Sequence, residues 1–166
     1  MLPGFSGFTE RNKHMKVSID DLKKLREETS AGVSDCRQAL EDADGNYEKA
    51  KKLLTERGLE KAAKKEGKET SQGVIASYVH ATGKVGVLIE LRCETDFVAR
   101  TDEFKNLAHE LTLQIAAMNP KDVKALLESA YIRDASKTMT DLVKLTIAKV
   151  GENITVAKFT RMQLGE

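Results

Sequence analysis

The sequence predicts an α+β protein: an N-terminal three-helix bundle, then a core domain in which helices cover a three-stranded antiparallel sheet. Three observations carry this prediction. Apolar residues recur at helical intervals through 18–58, the period changes from about 3.6 to about 2 after residue 72, and strand-like alternation returns at 154–164. Strands first, helices next and a returning strand last is the order of an α+β domain with helices on one face of its sheet.

Residues 1–14 hold Pro3, Gly4, Gly7 and the isolated Phe5 and Phe8, without the continuous apolar stretch of a signal peptide. They are expected to be a leader or an added extension, followed at once by a second methionine, Met15. The bundle is assigned to 15–58. Its first helix opens at Ser18 with Asp21 at capping-box spacing, Asp standing where Glu or Gln is preferred. Ile19, Leu22 and Leu25 follow at helical intervals until Thr29-Ser30-Ala31-Gly32 breaks the run. The second helix places Val33, Cys36, Ala39 and Leu40 on one stripe and stops at Asp44-Gly45. The third starts at Asn46, carries Tyr47, Ala50, Leu53 and Leu54 on one face, and is expected to end at Gly58. A bundle of about 40 residues is near the lower limit for independent folding. It has no room for an enclosed active site and suits docking.

Residues 59–72 form a lysine-rich linker in which Lys61, Lys64, Lys65 and Lys68 are partly offset by Glu60, Glu66 and Glu69. It is either a basic contact segment or a solvated helical connection. The core domain, 73–166, begins with a strand at 74–79, a turn at Ala81-Thr82-Gly83-Lys84, and a second strand at 85–93. Val85, Val87, Ile89, Leu91 and Cys93 share one face of that second strand, while Gly86, Leu88, Glu90 and Arg92 share the other, the pattern of a half-buried antiparallel hairpin. A helix over 101–118 aligns Phe104, Leu107, Ala108, Leu111 and Ile115, with Pro120 beyond its end. One or two more helices span 121–150, the last with a stripe of Met139, Leu142, Val143 and Ile147. Gly151 punctuates, and 154–164 returns as the third strand.

Composition narrows the function. Lys plus Arg total 27 against 26 Asp plus Glu, so the chain lacks the basic excess of a general nucleic-acid binder. Trp is absent and aromatics are only 5%, so the core must be built from Leu, Ile, Val and Ala. No apolar run approaches the roughly 18 residues of a membrane helix. The two cysteines, Cys36 and Cys93, sit in apolar-patterned segments with no CxxC or zinc spacing nearby. A disulfide scaffold and a metal site are therefore not expected, and the cytoplasm is the expected compartment. His14, His80 and His109 have no motif-defined nucleophile or metal partner, and GxSxG, P-loop, HExxH and GxGxxG patterns do not occur. The expectation is a protein without cofactor or catalytic chemistry.

One segment stands apart, Cys93-Glu94-Thr95-Asp96-Phe97-Val98 at the junction of a strand and a helix. Such junctions lie at a domain edge and can present side chains outward. Phe97 is either an aromatic wedge oriented by the Asp96 carboxylate, or a core residue with Asp96 as a cap.

Three stretches resemble the elongation factor Ts family. Leu25-Arg26-Glu27-Glu28-Thr29-Ser30-Ala31-Gly32-Val33-Ser34-Asp35-Cys36-Arg37-Gln38-Ala39-Leu40 is similar to its N-terminal signature, and Glu90-Leu91-Arg92-Cys93-Glu94-Thr95-Asp96-Phe97-Val98-Ala99-Arg100 to its Thr-Asp-Phe-Val signature. Ile147-Ala148-Lys149-Val150-Gly151-Glu152-Asn153-Ile154 is similar to its Lys-Ile-Gly-Glu-Asn segment. The order and spacing agree from Met15 to Glu166. The resemblance implies a guanine-nucleotide exchange factor for elongation factor Tu, the GTPase that delivers aminoacyl-tRNA to the ribosome. It implies a ubiquitin-associated-like bundle docking on the nucleotide domain, with Arg26, Gly32, Val33 and Ser34 in the contact region. It places Thr95, Asp96, Phe97 and Val98 at a tip that enters the GTPase, the phenylalanine wedging between helices beside the nucleotide.

The departures are also informative. Many members have a longer methionine-containing segment where this chain has Val33-Ser34. Larger members add a second core half and a projecting helical hairpin after the Gly-Glu-Asn segment, whereas this chain ends at Glu166 and is abbreviated over 120–138. It resembles the short class with a single core half, which can complete its surface by pairing two copies through the core sheet. No direct binding to nucleic acid or membrane is expected. The alternatives are a ubiquitin-associated-type adaptor without exchange activity, and an RNA-binding accessory using Lys61 to Lys68. The adaptor would leave the Thr-Asp-Phe-Val segment without a purpose.

Overall fold

A computed structural model of the chain describes residues 17–166, and the expected leader at 1–14 lies outside them. The chain divides into two compact units, one running to Leu54 and the other Thr55–Glu166. In the first, Ser18 opens α1 (Ile19–Thr29) by accepting the Asp21 N–H on its hydroxyl at 3.3 Å. A left-handed residue, Ser30, closes α1, and α2 (Val33–Asp42) follows. The start of α3 (Tyr47–Ala63) completes the unit. Leu25, Cys36, Ala39, Leu40, Ala43, Ala50 and Leu54 form its core. Two residues of the expected apolar stripes stay outside it, Ile19 at 68% exposed and Val33 at 47%. Each is the first residue of its helix, on an opening turn that so small a core does not reach.

The third helix does not stop at Gly58. A glycine inside a helix costs about 1 kcal/mol relative to alanine, and the helix formers Leu59-Glu60-Lys61-Ala62-Ala63 follow it. Ala62 is buried in the core of the second unit. A Cβ added at Gly58 would lie 3.1 Å from the Cβ of Ala148, so the glycine marks a close approach of helices rather than a cap. Residues 64–67 turn, and the next stretch is tied down. The Lys68 carbonyl accepts from Asn153 Nδ2 at 2.8 Å, and the Thr70 and Thr155 hydroxyls are 2.7 Å apart.

The second unit is built on β1 (Gln72–Val79) and β2 (Val85–Cys93), an antiparallel hairpin in register from Gln72 opposite Cys93 to Val79 opposite Gly86. The returning strand β5 (Ile154–Gln163) pairs antiparallel with the other side of β2, so β2 is the middle of a three-stranded sheet. Val87, Ile89, Leu91 and Cys93 are buried, as their alternation predicts. They join one core with α5 (Asp102–Met118) and α7 (Met139–Val150), which contribute Phe104, Leu107, Leu111, Ile115, Met139, Val143 and Ile147.

Between α5 and α7 lie α6 (Val123–Glu128) and a small ribbon, β3 (Ala130–Tyr131) with β4 (Asp134–Thr138). The sequence reading gave helices alone here. The ribbon depends on Gln114, fully buried on α5. Its Nε2 donates to Ser129 Oγ at 2.9 Å and to the Ala130 carbonyl at 2.8 Å, and its Oε1 accepts from the Ile132 N–H at 3.0 Å. One side chain thus supplies the pairing that a two-residue strand lacks.

Helix α7 starts with a full capping box. The Thr138 hydroxyl accepts the Asp141 N–H at 3.2 Å, and Asp141 Oδ2 accepts the Thr138 N–H at 2.8 Å. The backbone N–H and hydroxyl of Thr138 hold the Asp141 carboxyl below its ordinary value of 3.8. Asp141→Ala is expected to cost about 1 kcal/mol at neutral pH, measured by urea unfolding. A lowered folded-state value means that this stability is present above 3.8 and is lost as pH falls through the lowered value. The gap between wild type and variant should therefore close in acid.

Candidate interaction site

The site begins where β2 leaves the sheet. Cys93 is buried, and burial pushes its thiol up. Two residues later Thr95, extended at φ −126° and ψ 153°, caps the single turn α4 (Asp96–Ala99) by accepting the Val98 N–H on its hydroxyl at 3.4 Å. In a helix each residue is turned about 100° from the last. Val98 and Ala99 both point into the core, which throws Phe97 to the far side, where it is 88% exposed. Phe97 is therefore not a core residue, and Thr95 rather than Asp96 is the cap. Asp96 instead pairs with Arg100 one turn on. Val98 faces inward at 8% exposed, so it supports the turn from beneath while Asp96 and Phe97 face out.

The turn is held from outside itself. The corner Gly151-Glu152-Asn153, between α7 and β5, lies against it. Glu152 Oε2 accepts the Thr95 N–H at 3.0 Å and Oε1 accepts the Thr95 hydroxyl at 2.7 Å. In the other direction Glu94 Oε1 accepts the Asn153 N–H at 2.7 Å. The Cys93 thiol donates to the Thr95 carbonyl at 3.1 Å. On the far side the Thr101 hydroxyl donates to the Val98 carbonyl at 2.8 Å while capping α5. Two of the stretches singled out in the sequence, 90–100 and 147–154, thus meet at one place. Sequence reasoning assigned Glu94 and Glu152 no part in the site; the signal was the similarity of 147–154 itself, which carried no role.

The other residues that the resemblance singles out lie in the first unit. Arg26 is in the last turn of α1, and Gly32, Val33 and Ser34 open α2 just beyond the Ser30-Ala31 turn. All four are exposed. Gly32 is the N-cap of α2 and offers no side-chain hydrogen bond there.

His80 and His109 have structural surroundings, and His14 lies outside the described residues. The His80 carbonyl accepts the Gly83 N–H at 2.7 Å in the hairpin turn, and its Nδ1 is 3.0 Å from Thr82 Oγ1. His109 is exposed on α5, with its ring edge-on to Tyr78. An open groove of about 660 Å³ lies at the Val85 end of β2, away from the tip, lined by Tyr78, Leu113, Ala116, Ile132 and Leu164 among others. Among the described residues no cluster of His, Cys, Asp and Glu is placed to hold a metal ion, and no helix is long and apolar enough to cross a membrane.

A projecting aromatic on a braced turn is an outward-facing feature and not an enclosed pocket. A family model described as Elongation factor TS matches residues 94–166. An elongation factor Ts from Coprothermobacter proteolyticus is 43% identical over 92% of this chain and 100% of its own length. Those from Fervidobacterium nodosum and Thermotoga maritima are 41% and 43% identical, over 92% of this chain and 100% and 98% of their own. These alignments run to 195 or 197 positions against a chain of 166 residues, so the relatives carry segments with no counterpart here. The chain is thus placed among the elongation factors of translation. It belongs to the elongation factor Ts family.

Proposed function

We propose that this chain binds elongation factor Tu and promotes release of its GDP so that GTP can rebind, with Phe97 as the wedge beside the nucleotide and Mg²⁺ site. The observation that carries the reading is the 88% exposure of Phe97 on a braced turn, in a protein otherwise poor in aromatics. Leaving a large apolar ring in water makes sense where a partner buries it, and aromatic anchors dominate interface energetics.

The mechanism follows from linkage. A nucleotide bound at nanomolar Kd is held by about 12 kcal/mol, so it leaves slowly unaided. A protein that binds the empty GTPase more tightly than the loaded one must weaken nucleotide affinity by the same factor. Thr95, Asp96 and Phe97 provide the intruding surface, and Val98 supports it. Arg26, Gly32, Val33 and Ser34, with the exposed Ile19 nearby in sequence, form the second contact, which holds the nucleotide domain. In this scheme the bundle that runs to Leu54 docks, and the unit from Thr55 onward, into which 59–72 is built, intrudes and pairs. No bond is made or broken, so the chain acts as an exchange factor in the cytoplasm, not as an enzyme, and needs no cofactor.

The test is release of fluorescent GDP from elongation factor Tu with and without this chain. Release should speed up in proportion to added protein and reach a plateau. Unchanged release beside demonstrable binding would make the chain a non-exchanging adaptor, and salt-sensitive retention of RNA without effect on release would favour the RNA-binding alternative.

The same reading extends to a second copy. Ile75, Val79, Leu88 and Met162 are exposed on the outer face of the sheet, where cross-strand register sets Val79, Gly86 and Met162 side by side. Pairing two such faces would bury them. Wild type should sediment as a dimer at micromolar concentration and Leu88→Glu as a monomer; a monomeric wild type would overturn the pairing.

A further inference from the structure

We infer that Glu152 is the positioning residue of the Phe97 tip, fixing the direction in which the ring projects. This rests on the reading of Phe97 as the anchor. Helix α4 is a single turn of four residues, far too short to hold its own shape in water. Its orientation must therefore come from its neighbours, and the most direct tie is to a residue 57 positions further along the chain.

Both oxygens of the Glu152 carboxylate are engaged by Thr95, one by the N–H and one by the hydroxyl. Two bonds to one residue fix its rotation as well as its place. The Thr95 hydroxyl passes the constraint on, because the oxygen that donates to Glu152 also accepts the Val98 N–H inside the turn. A hydroxyl that donates to a carboxylate becomes a better acceptor, so the two bonds reinforce each other. The reverse bond, from Asn153 N–H to Glu94, stops the two segments sliding past one another. Asn153 is itself buried and anchored to the Lys68 carbonyl, so the corner carrying Glu152 is a fixed base. Glu152 acts on Phe97 only through Thr95, which makes it a positioning residue and not a contact.

The experiment combines Glu152→Ala and Glu152→Gln with Phe97→Ala, reading GDP release from elongation factor Tu, hydrogen exchange of the Thr95 amide and the thermal transition. Glu152→Ala should lose on the order of tenfold in accelerated release, since misplacing a group that must be aimed costs at least that much. Thr95 amide exchange should rise at least about tenfold, reporting local opening while the thermal transition stays cooperative. Glu152→Gln, whose amide keeps one acceptor oxygen, should recover part of both. In the Phe97→Ala background Glu152→Ala should add nothing, because the residue has no ring left to position. Wild-type release in Glu152→Ala beside an impaired Phe97→Ala overturns the positioning role alone, as does an equal further loss in the double variant. Wild-type release in Phe97→Ala overturns the anchor reading instead. If Glu152→Ala does not fold, Glu152→Gln decides: full activity with an unprotected Thr95 amide would overturn the proposal, and a loss seen only when Phe97 is present would support it.

Discussion

Phe97→Ala is expected to cut accelerated GDP release at least about tenfold and to leave the fold untouched, two effects that seldom come together in a phenylalanine substitution. A buried Phe→Ala change opens a cavity and costs about 3–5 kcal/mol of stability. Phe97 is 88% exposed, so its truncation opens none, and the stability change should stay within about 0.5 kcal/mol. The loss falls on binding. A central aromatic anchor contributes about 2 kcal/mol or more to an interface, more than tenfold in an equilibrium constant. The adjacent residue provides the contrast. Val98 is buried, so Val98→Ala should lower the urea midpoint first and affect exchange only by loosening the turn. Stopped-flow release and equilibrium unfolding on both variants separate the cases, and a Phe97→Ala protein that unfolds, or that accelerates release like wild type, removes the wedge from the mechanism.

The largest effect on stability is expected at Gly73. Its φ is +154°, and a Cβ there would lie 2.0 Å from the Leu91 carbonyl oxygen and 2.7 Å from Arg92 Cα. Both obstacles are backbone of β2, which is paired on both sides and cannot retreat without disturbing a ladder. Gly73→Ala should therefore cost about 3 kcal/mol or more, adding an unfavourable backbone conformation to a clash that no rotamer relieves. Gly86 is the control. It too lies in the hairpin, but a Cβ there would meet nothing within 4 Å, so Gly86→Ala should be close to neutral in the same urea titration. A Gly73→Ala protein as stable as Gly86→Ala would mean that the β1–β2 approach is looser than described.

The parts of this fold that were legible in the sequence are those whose causes are local. The buried face of β2 follows from alternation alone, and α5 is bracketed by Thr101 and by Asn119 and Pro120. The features that escaped depend on residues far away in the chain. Whether Gly58 ends a helix depends on Ala148, and whether 130–138 pairs as a ribbon depends on Gln114. Gly73 looks like any glycine before a strand until Leu91 is set beside it. The site divides the same way. The Cys93–Val98 junction could be singled out from its position between strand and helix, but pattern alone left Phe97 as core or wedge. A single helical turn has no periodicity to decide which of its residues faces in. Resemblance pointed to an interface, and the ring is exposed. The brace from Glu152 could not be read, because nothing local joins residues 57 apart.

The mounting of the tip at the end of the middle strand has a mechanical consequence. A side chain driven into a partner is pushed back with equal force, and the compliance of whatever holds it decides which of the two bodies yields. In the proposed encounter, whatever part of the recoil enters β2 at Cys93 along the strand axis runs crosswise to hydrogen bonds that flank the strand on both sides from β1 and β5. Loaded in this way the bonds share the strain in parallel instead of parting one at a time, as they would if an edge strand were peeled away. Under the proposed wedge the sheet would be the stiff member, and the deformation would be delivered to the partner.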